Sequence, residues 1–135
     1  MLEVKNLEYT YESGKKVLDG ISLSTKNGAI TMIIGENGAG KTTLFKNILG
    51  LLKKDKGEIV VDGEELRYDK KSLLNYRKNV TMVFQDPDNQ IFYSNVFDDT
   101  AFTLRNLGFD EDTVKERVDK ALRSANAYEL KDMPV

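Results

Sequence analysis

The chain of 135 residues contains no cysteine, which excludes disulfides, thiol catalysis and thiolate metal sites and fits a reducing compartment. It also contains no histidine, so no imidazole can act as general base, metal ligand or pH sensor. Any hydrolytic chemistry is left to carboxylates, amides and bound metal. An excess of either charge is missing as well. With Lys+Arg 20 against Asp+Glu 22 the formal net charge is -2, and there is no general electrostatic footprint for a nucleic-acid backbone or an anionic membrane. The longest apolar run, "ITMIIG", is far too short to span a bilayer. The start, "MLEVKNLEYTYESG", alternates charged and apolar residues and lacks the basic head and apolar centre of a signal peptide. A cytoplasmic protein is expected, with any membrane connection made through a partner subunit.

What is present is the composition of a folded domain: 40% hydrophobic and 31% charged, enough for one sizeable core. Residues 2–11 and 17–25 read as two strands around a Glu-Ser-Gly turn at 12–14. "AITMIIG", 29–35, is an almost unbroken apolar run ending in glycine, the pattern of a strand buried on both faces. A helix is expected from Lys41 or Thr42, with Leu44, Ile48, Leu51 and Leu52 on its stripe and Gly50 near its end. "GEIVVDGEEL" reads as a strand turned by Asp62-Gly63, residues 72–78 as a short helix, and "VTMVF", 80–84, as a second buried strand. Two helices follow. Asn95 is placed to cap one, with Asp98 third in it and Phe97, Ala101 and Leu104 on one face; Asp110 is placed to cap another, carrying Val114, Val118, Ala121, Leu122 and Ala125.

The chemistry is concentrated in "GENGAGKTT", Gly35 to Thr43. Gly35, Gly40, Lys41 and Thr42 fit G-x-x-x-x-G-K-[ST], with a buried strand expected before and a helix after. Glycines at 35, 38 and 40 free the backbone to aim successive N–H groups inward, so that Gly35, Glu36, Asn37, Gly38, Ala39, Gly40, Lys41, Thr42 and Thr43 together form a phosphate cradle. The positive end of the following helix adds attraction for an anion. Lys41 is expected to reach the β and γ phosphates, and the Thr42 hydroxyl to join the shell of a Mg²⁺ ion. A GTPase is not indicated, because neither Asn-Lys-x-Asp nor Asp-x-x-Gly occurs in the chain.

The surroundings of the loop narrow the class. "IIGENGAGKTTLFKNILGLLKKDKGEIVVDG" resembles the start of an ATP-binding cassette subunit, and "VTMVFQDPDNQIF" resembles the cobalt and energy-coupling-factor (ECF) importers within that family, as does "FDEDTVKERVDKAL". The resemblance covers essentially the whole chain. It implies an α/β fold: a P-loop NTPase (RecA-like) core with an antiparallel β-subdomain over residues 1–85, then the Q-loop and the start of a helical subdomain over 86–135. It implies ATP and Mg²⁺ as ligands. It also makes Gln85 the Q-loop glutamine, whose amide meets the metal and the γ-phosphate region alongside Lys41, and Tyr11 the aromatic that stacks on adenine. Tyr9 shares a strand face with Tyr11 and competes for that role. The stretch from Gln85 to Tyr93 is expected to face the transmembrane partner; its apolar Ile91, Phe92 and Tyr93 suit a docking surface or, alternatively, packing inside the helical subdomain. A second ATPase subunit is the other implied partner, and the inner face of the membrane the implied location.

The resemblance is to the first half of a cassette. The Leu-Ser-Gly-Gly-Gln signature, the strand ending in Asp-Glu and the switch histidine do not occur in these residues. Asp62 and Asp86 each follow an apolar run, but the first is explained by a hairpin and the second by the Q-loop. These 135 residues alone are therefore expected to bind ATP weakly and to hydrolyse it near background. The alternatives are a degenerate module that binds nucleotide or a partner without hydrolysis, and a P-loop kinase. A kinase would need arginines over the cradle, and only Arg67, Arg77, Arg105, Arg117 and Arg123 exist.

Overall fold

The computed structural model describes residues 1–135, apart from the side chains of Pro87 and Asn89. The chain forms two compact units, Met1–Met82 and Val83–Val135.

The first unit is built on an antiparallel sheet of β1 (Leu2–Thr10), β2 (Lys16–Ser24), β3 (Lys56–Val61) and β4 (Glu64–Glu65), in the order β2-β1-β3-β4. Strand β1 is central because it has two partners: Tyr9 lies opposite Leu18 of β2, and Leu2 opposite Val61 of β3. The hairpin from β3 to β4 turns at Asp62 and Gly63, with φ of 49° and 86°, the pair of positive dihedrals that a tight two-residue hairpin demands. Asp62 is thus a turn residue, and its carboxylate pairs with the amino terminus. One face of the sheet buries Val4, Leu7, Tyr9, Leu18 and Ile59 against Leu44 and Ile48 of α1 (Lys41–Ile48), Leu66, and Tyr76 of α2 (Lys70–Tyr76). Helix α1 stops at Ile48, so Leu51 and Leu52 fall outside it. Gly50, with φ 65°, takes the left-handed turn that ends the helix.

The expected strands at 29–35 and 80–84 are not formed: both segments run without ladder partners. The reason is visible in their burial. Apolar runs of this kind need a strand on either side and cover on both faces. Here Ile30 and Ile34 are 98% and 85% exposed while Ile33, between them, packs on the core. Val80 packs on the same core, whereas Val83 is exposed.

The second unit pairs α3 (Val96–Asn106) with α4 (Glu111–Ser124). Ala101, Val114, Val118 and Leu122 form its core, with Phe97 and Leu104 packed against them; Ala121 and Ala125 lie outside it. Both caps are as the sequence suggests. Asn95 accepts from the Asp98 amide at 2.8 Å and Asp110 from the Thr113 amide at 2.9 Å, and that amide holds the Asp110 carboxyl below the usual carboxylate range. Residues 131–135 fold back on the start of α3, where the Phe97 amide donates to the Lys131 carbonyl at 2.9 Å.

Candidate functional site

The turn Gly35–Gly40 enters α1 through a residue only glycine tolerates. Gly40 has φ 92°, and a Cβ placed on it would stand 2.9 Å from Val17 Cγ1 and 3.3 Å from the Val17 carbonyl oxygen. Strand β2 therefore presses directly on the neck of the loop. Gly38 also has a positive φ, 82°, but open space around it. Gly35 does not; its Cβ would lie 3.4 Å from Ala39 Cβ, so there the glycine relieves a close approach and no unusual dihedral is involved.

Helix α1 begins without a side-chain cap and without an acidic residue in its first turn. The other three helices are capped, by Asp69, Asn95 and Asp110, and α3 and α4 carry two acids each in the first turn. An uncapped start leaves N–H donors of Lys41, Thr42 and Thr43 without a helical partner and leaves the positive end of the helix uncompensated. The lysine folds back over this opening. Its Nζ donates to the carbonyl oxygens of Gly35 at 2.6 Å and Glu36 at 2.8 Å, which closes the loop into a ring around its own cation. An ammonium has three N–H donors, so one is left for an incoming acceptor.

The far end of α1 is held firmly. Tyr76 Oη donates to the Ile48 carbonyl at 2.7 Å, and Arg77 donates to the carbonyls of Leu49 at 3.3 Å and Gly50 at 2.9 Å. A guanidinium on the last carbonyls also complements the negative end of the helix. Burial pushes the Tyr76 phenol up to about 12. Inside the helix, fully buried Asn47 donates through Nδ2 to the Thr43 carbonyl at 2.9 Å.

The two candidate tyrosines separate clearly. Tyr9 belongs to the core, and burial raises its phenol; Tyr11 is 37% exposed, stands edge-on to Tyr9 with ring centroids 5.0 Å apart, and places its hydroxyl 2.8 Å from Thr43 Oγ1. Tyr11, Lys41, Thr42 and Thr43 are thereby gathered at one end of α1. Composition and spacing gave no hint of the Tyr11 to Thr43 bond, nor of Arg77 behind the helix, because both depend on how the elements pack.

Gln85 lies in the second unit and is exposed, as is Asp86, which precedes a single 3-10 turn over Pro87–Gln90 and makes no capping bond there. Of the stretch Gln85 to Tyr93, the side chains of Pro87 and Asn89 fall outside the described residues. Ile91, Phe92 and Tyr93 are exposed, although Phe92 stacks on Phe102 at 5.0 Å and Tyr93 tilts against the same ring. Asp99 fixes this segment by accepting from the amides of Phe92 at 2.7 Å and Tyr93 at 3.1 Å. Four of the five arginines are engaged elsewhere: Arg105 with Asp98 and Glu111, Arg117 over Phe109, Arg123 over Tyr128 and Arg77 at the rear of α1, while Arg67 is exposed.

A glycine turn, an uncapped helix and a lysine curled over its mouth define a P-loop protein. The ABC transporter family profile matches residues 18–135, and the chain belongs to that family. It is 47% identical over 135 residues to a protein of Listeria monocytogenes carrying the name ABC transporter ATP-binding protein, covering 100% of this chain and 50% of that one. It is 41% identical over 134 residues to the energy-coupling factor transporter ATP-binding protein EcfA3 of Clostridium perfringens, covering 99% of this chain and 47% of the relative. Among solved structures, cbiO1 of Clostridium perfringens, described as part of the ABC transporter complex cbiONQ, superposes with a TM-score of 0.88 at 41% identity, over 98% of this chain and 53% of that one. The chain spans about half the length of the relatives it matches. Its fold is that of the ABC ATPase, with the antiparallel sheet and the helices in place. None of its helices is long and apolar enough to cross a membrane.

Proposed function

We propose that these residues form the nucleotide-holding portion of the ATPase subunit of a cobalt or energy-coupling-factor type importer, one that couples ATP binding and hydrolysis to uptake of metal ions or vitamins. The observation that carries this reading is the open start of α1 behind the Gly38–Gly40 turn, with the Lys41 ammonium held at its centre. Backbone amides from Gly35 to Thr43 hold the phosphate oxygens, and Lys41 donates its remaining N–H to the β and γ phosphates. The partly exposed face of Tyr11 offers adenine a stacking surface, which gives affinity with little selectivity.

The residues fit a nucleotide-bound Mg²⁺. In the first unit the Thr42 hydroxyl, at the open start of α1, would join the ion's shell beside phosphate oxygens, and Gln85 is the further ligand that the Q-loop resemblance assigns. When bound, the ion would neutralise charge on the phosphates. Arg77 is committed to the back of α1, away from the cradle, which supports the ATPase reading over the kinase alternative.

Partner surfaces follow from the same assignment. Exposed Ile91, Phe92 and Tyr93, held in place by Asp99, would meet the transmembrane subunit, and a second ATPase subunit would complete the ATP site. The protein would then sit on the inner face of the membrane through that partner.

Binding of ATP and AMP to wild-type and Lys41→Ala chains by isothermal titration calorimetry tests the central reading. A charge-assisted hydrogen bond is worth about 1.5–3 kcal/mol, so Lys41→Ala is expected to weaken ATP by roughly ten- to a hundredfold and to leave AMP nearly unchanged. Equal affinity of the two chains for ATP would remove the assignment.

A further inference from the structure

We propose that Tyr11 is a positioning residue that acts through its hydroxyl as well as its ring: it latches the first turn of the P-loop helix by setting the direction of the Thr43 hydroxyl. The functional half of this proposal rests on the nucleotide reading above; the latch itself rests on geometry alone.

Tyr11 Oη and Thr43 Oγ1 are 2.8 Å apart, across an interval of 32 residues, so the bond ties the end of β1 directly to the third residue of α1. Thr43 is 6% exposed, and its side chain has little freedom to seek water instead. Its backbone is held too, because the Thr43 carbonyl accepts from Asn47 Nδ2 at 2.9 Å. The residue is thus restrained from both sides, by a strand on one and by its own helix on the other.

The chemistry of the two hydroxyls gives the bond a sense. A phenol is the stronger proton donor, and a threonine hydroxyl has one donor and two acceptor sites. When Tyr11 donates, Thr43 keeps its own proton free and pointed away from the ring. A phosphate oxygen can only accept. Chains of the form O–H to O–H to anion strengthen one another, so a tyrosine donating into Thr43 makes Thr43 a better donor to an anion held at the α1 start. The surface that meets the base and the groups that meet the phosphates are then joined by one hydrogen bond, and loss of the phenolic oxygen is felt at the phosphates even when no base is present.

The test separates this from stacking. Affinities for ATP and for inorganic tripolyphosphate are measured on the full chain for wild type, Tyr11→Phe and Tyr11→Leu. The latch predicts that Tyr11→Phe weakens both ligands by the same factor, roughly three- to tenfold for one hydrogen bond, and that Tyr11→Leu costs a further factor for ATP alone. Stacking alone predicts that Tyr11→Phe is silent toward both ligands, and a purely structural bond predicts lower stability with unchanged affinities of the folded chain; either result overturns the proposal. A nucleotide-free readout runs beside it: urea midpoints of Tyr11→Phe, Thr43→Val and the double variant. The double variant is expected to lose no more than the worse single variant, and additive losses would overturn the bond itself. If wild type bound neither polyphosphate, the nucleotide reading and the binding half of the proposal would fall together, whatever the unfolding cycle showed.

Discussion

The sharpest stability prediction concerns Gly40→Ala. At φ 92° an L-residue is forced into the left-handed region, which costs about 1–2 kcal/mol. The new methyl group would also stand 2.9 Å from Val17 Cγ1 and 3.3 Å from the Val17 carbonyl oxygen, and crowding of that kind costs roughly 1–3 kcal/mol more. The total, about 2–5 kcal/mol, corresponds to a fall in thermal midpoint on the order of ten degrees or more for a unit of this size. Gly38→Ala is the internal control. Its φ of 82° carries the same dihedral cost, but nothing lies within 4 Å of the added carbon, so about 1–2 kcal/mol is expected. Thermal unfolding followed by far-ultraviolet circular dichroism compares the two. Val17→Ala in the Gly40→Ala background should recover part of the loss, making the double variant less damaged than the sum of the singles. If Gly40→Ala and Gly38→Ala melted together, or if Val17→Ala added its full cost to Gly40→Ala, the picture of β2 pressing on the neck of the loop would be wrong.

Tyr76→Phe removes the hydroxyl that meets the Ile48 carbonyl in a buried place and should cost about 1–3 kcal/mol in urea unfolding. It should also change the pH dependence. Because burial lifts the folded-state value to about 12 from an ordinary 10.0, the contribution of Tyr76 is fully present below pH 10 and is lost as pH climbs through 12, so Tyr76→Phe should flatten the alkaline fall in stability seen for wild type. Asp99→Ala should leave global stability within about 1 kcal/mol while the Phe92 and Tyr93 amides, its two backbone donors, exchange their hydrogens markedly faster. Unchanged exchange at those amides would show that Asp99 does not hold the segment.

Local rules were readable wherever the chain supplies its own partners. The Asp62-Gly63 hairpin, the Asn95 and Asp110 caps and the Val114, Val118, Leu122 stripe all depend on neighbours within a few residues, and each is found as the pattern implies. The buried strands at 29–35 and 80–84 were misjudged because burial on both faces is a property of the neighbours as well as of the run, and Ile30 and Ile34 have none. Ala121 and Ala125 failed differently: they satisfy the helical period but lie at the margin of a stripe that only three larger side chains fill. The loop from Gly35 to Thr43 was legible because its chemistry is written in consecutive residues. Its supports were not. That the core absorbs Tyr9 and leaves Tyr11 partly exposed depends on packing, and Arg77 at the end of α1 follows from a helix packing that no spacing announces.

The rear clamp on α1 has a mechanical consequence. Tyr76 and Arg77 tie the last carbonyls of α1 to the end of α2, and if a polyanion bound at the other end of α1 that tether would oppose displacement of the helix along its axis. In front of it, residues 29–40 form no ladder bonds and are held instead at a few points: Ile33 on the core, the Gly35 and Glu36 carbonyls on Lys41, and Gly40 against Val17.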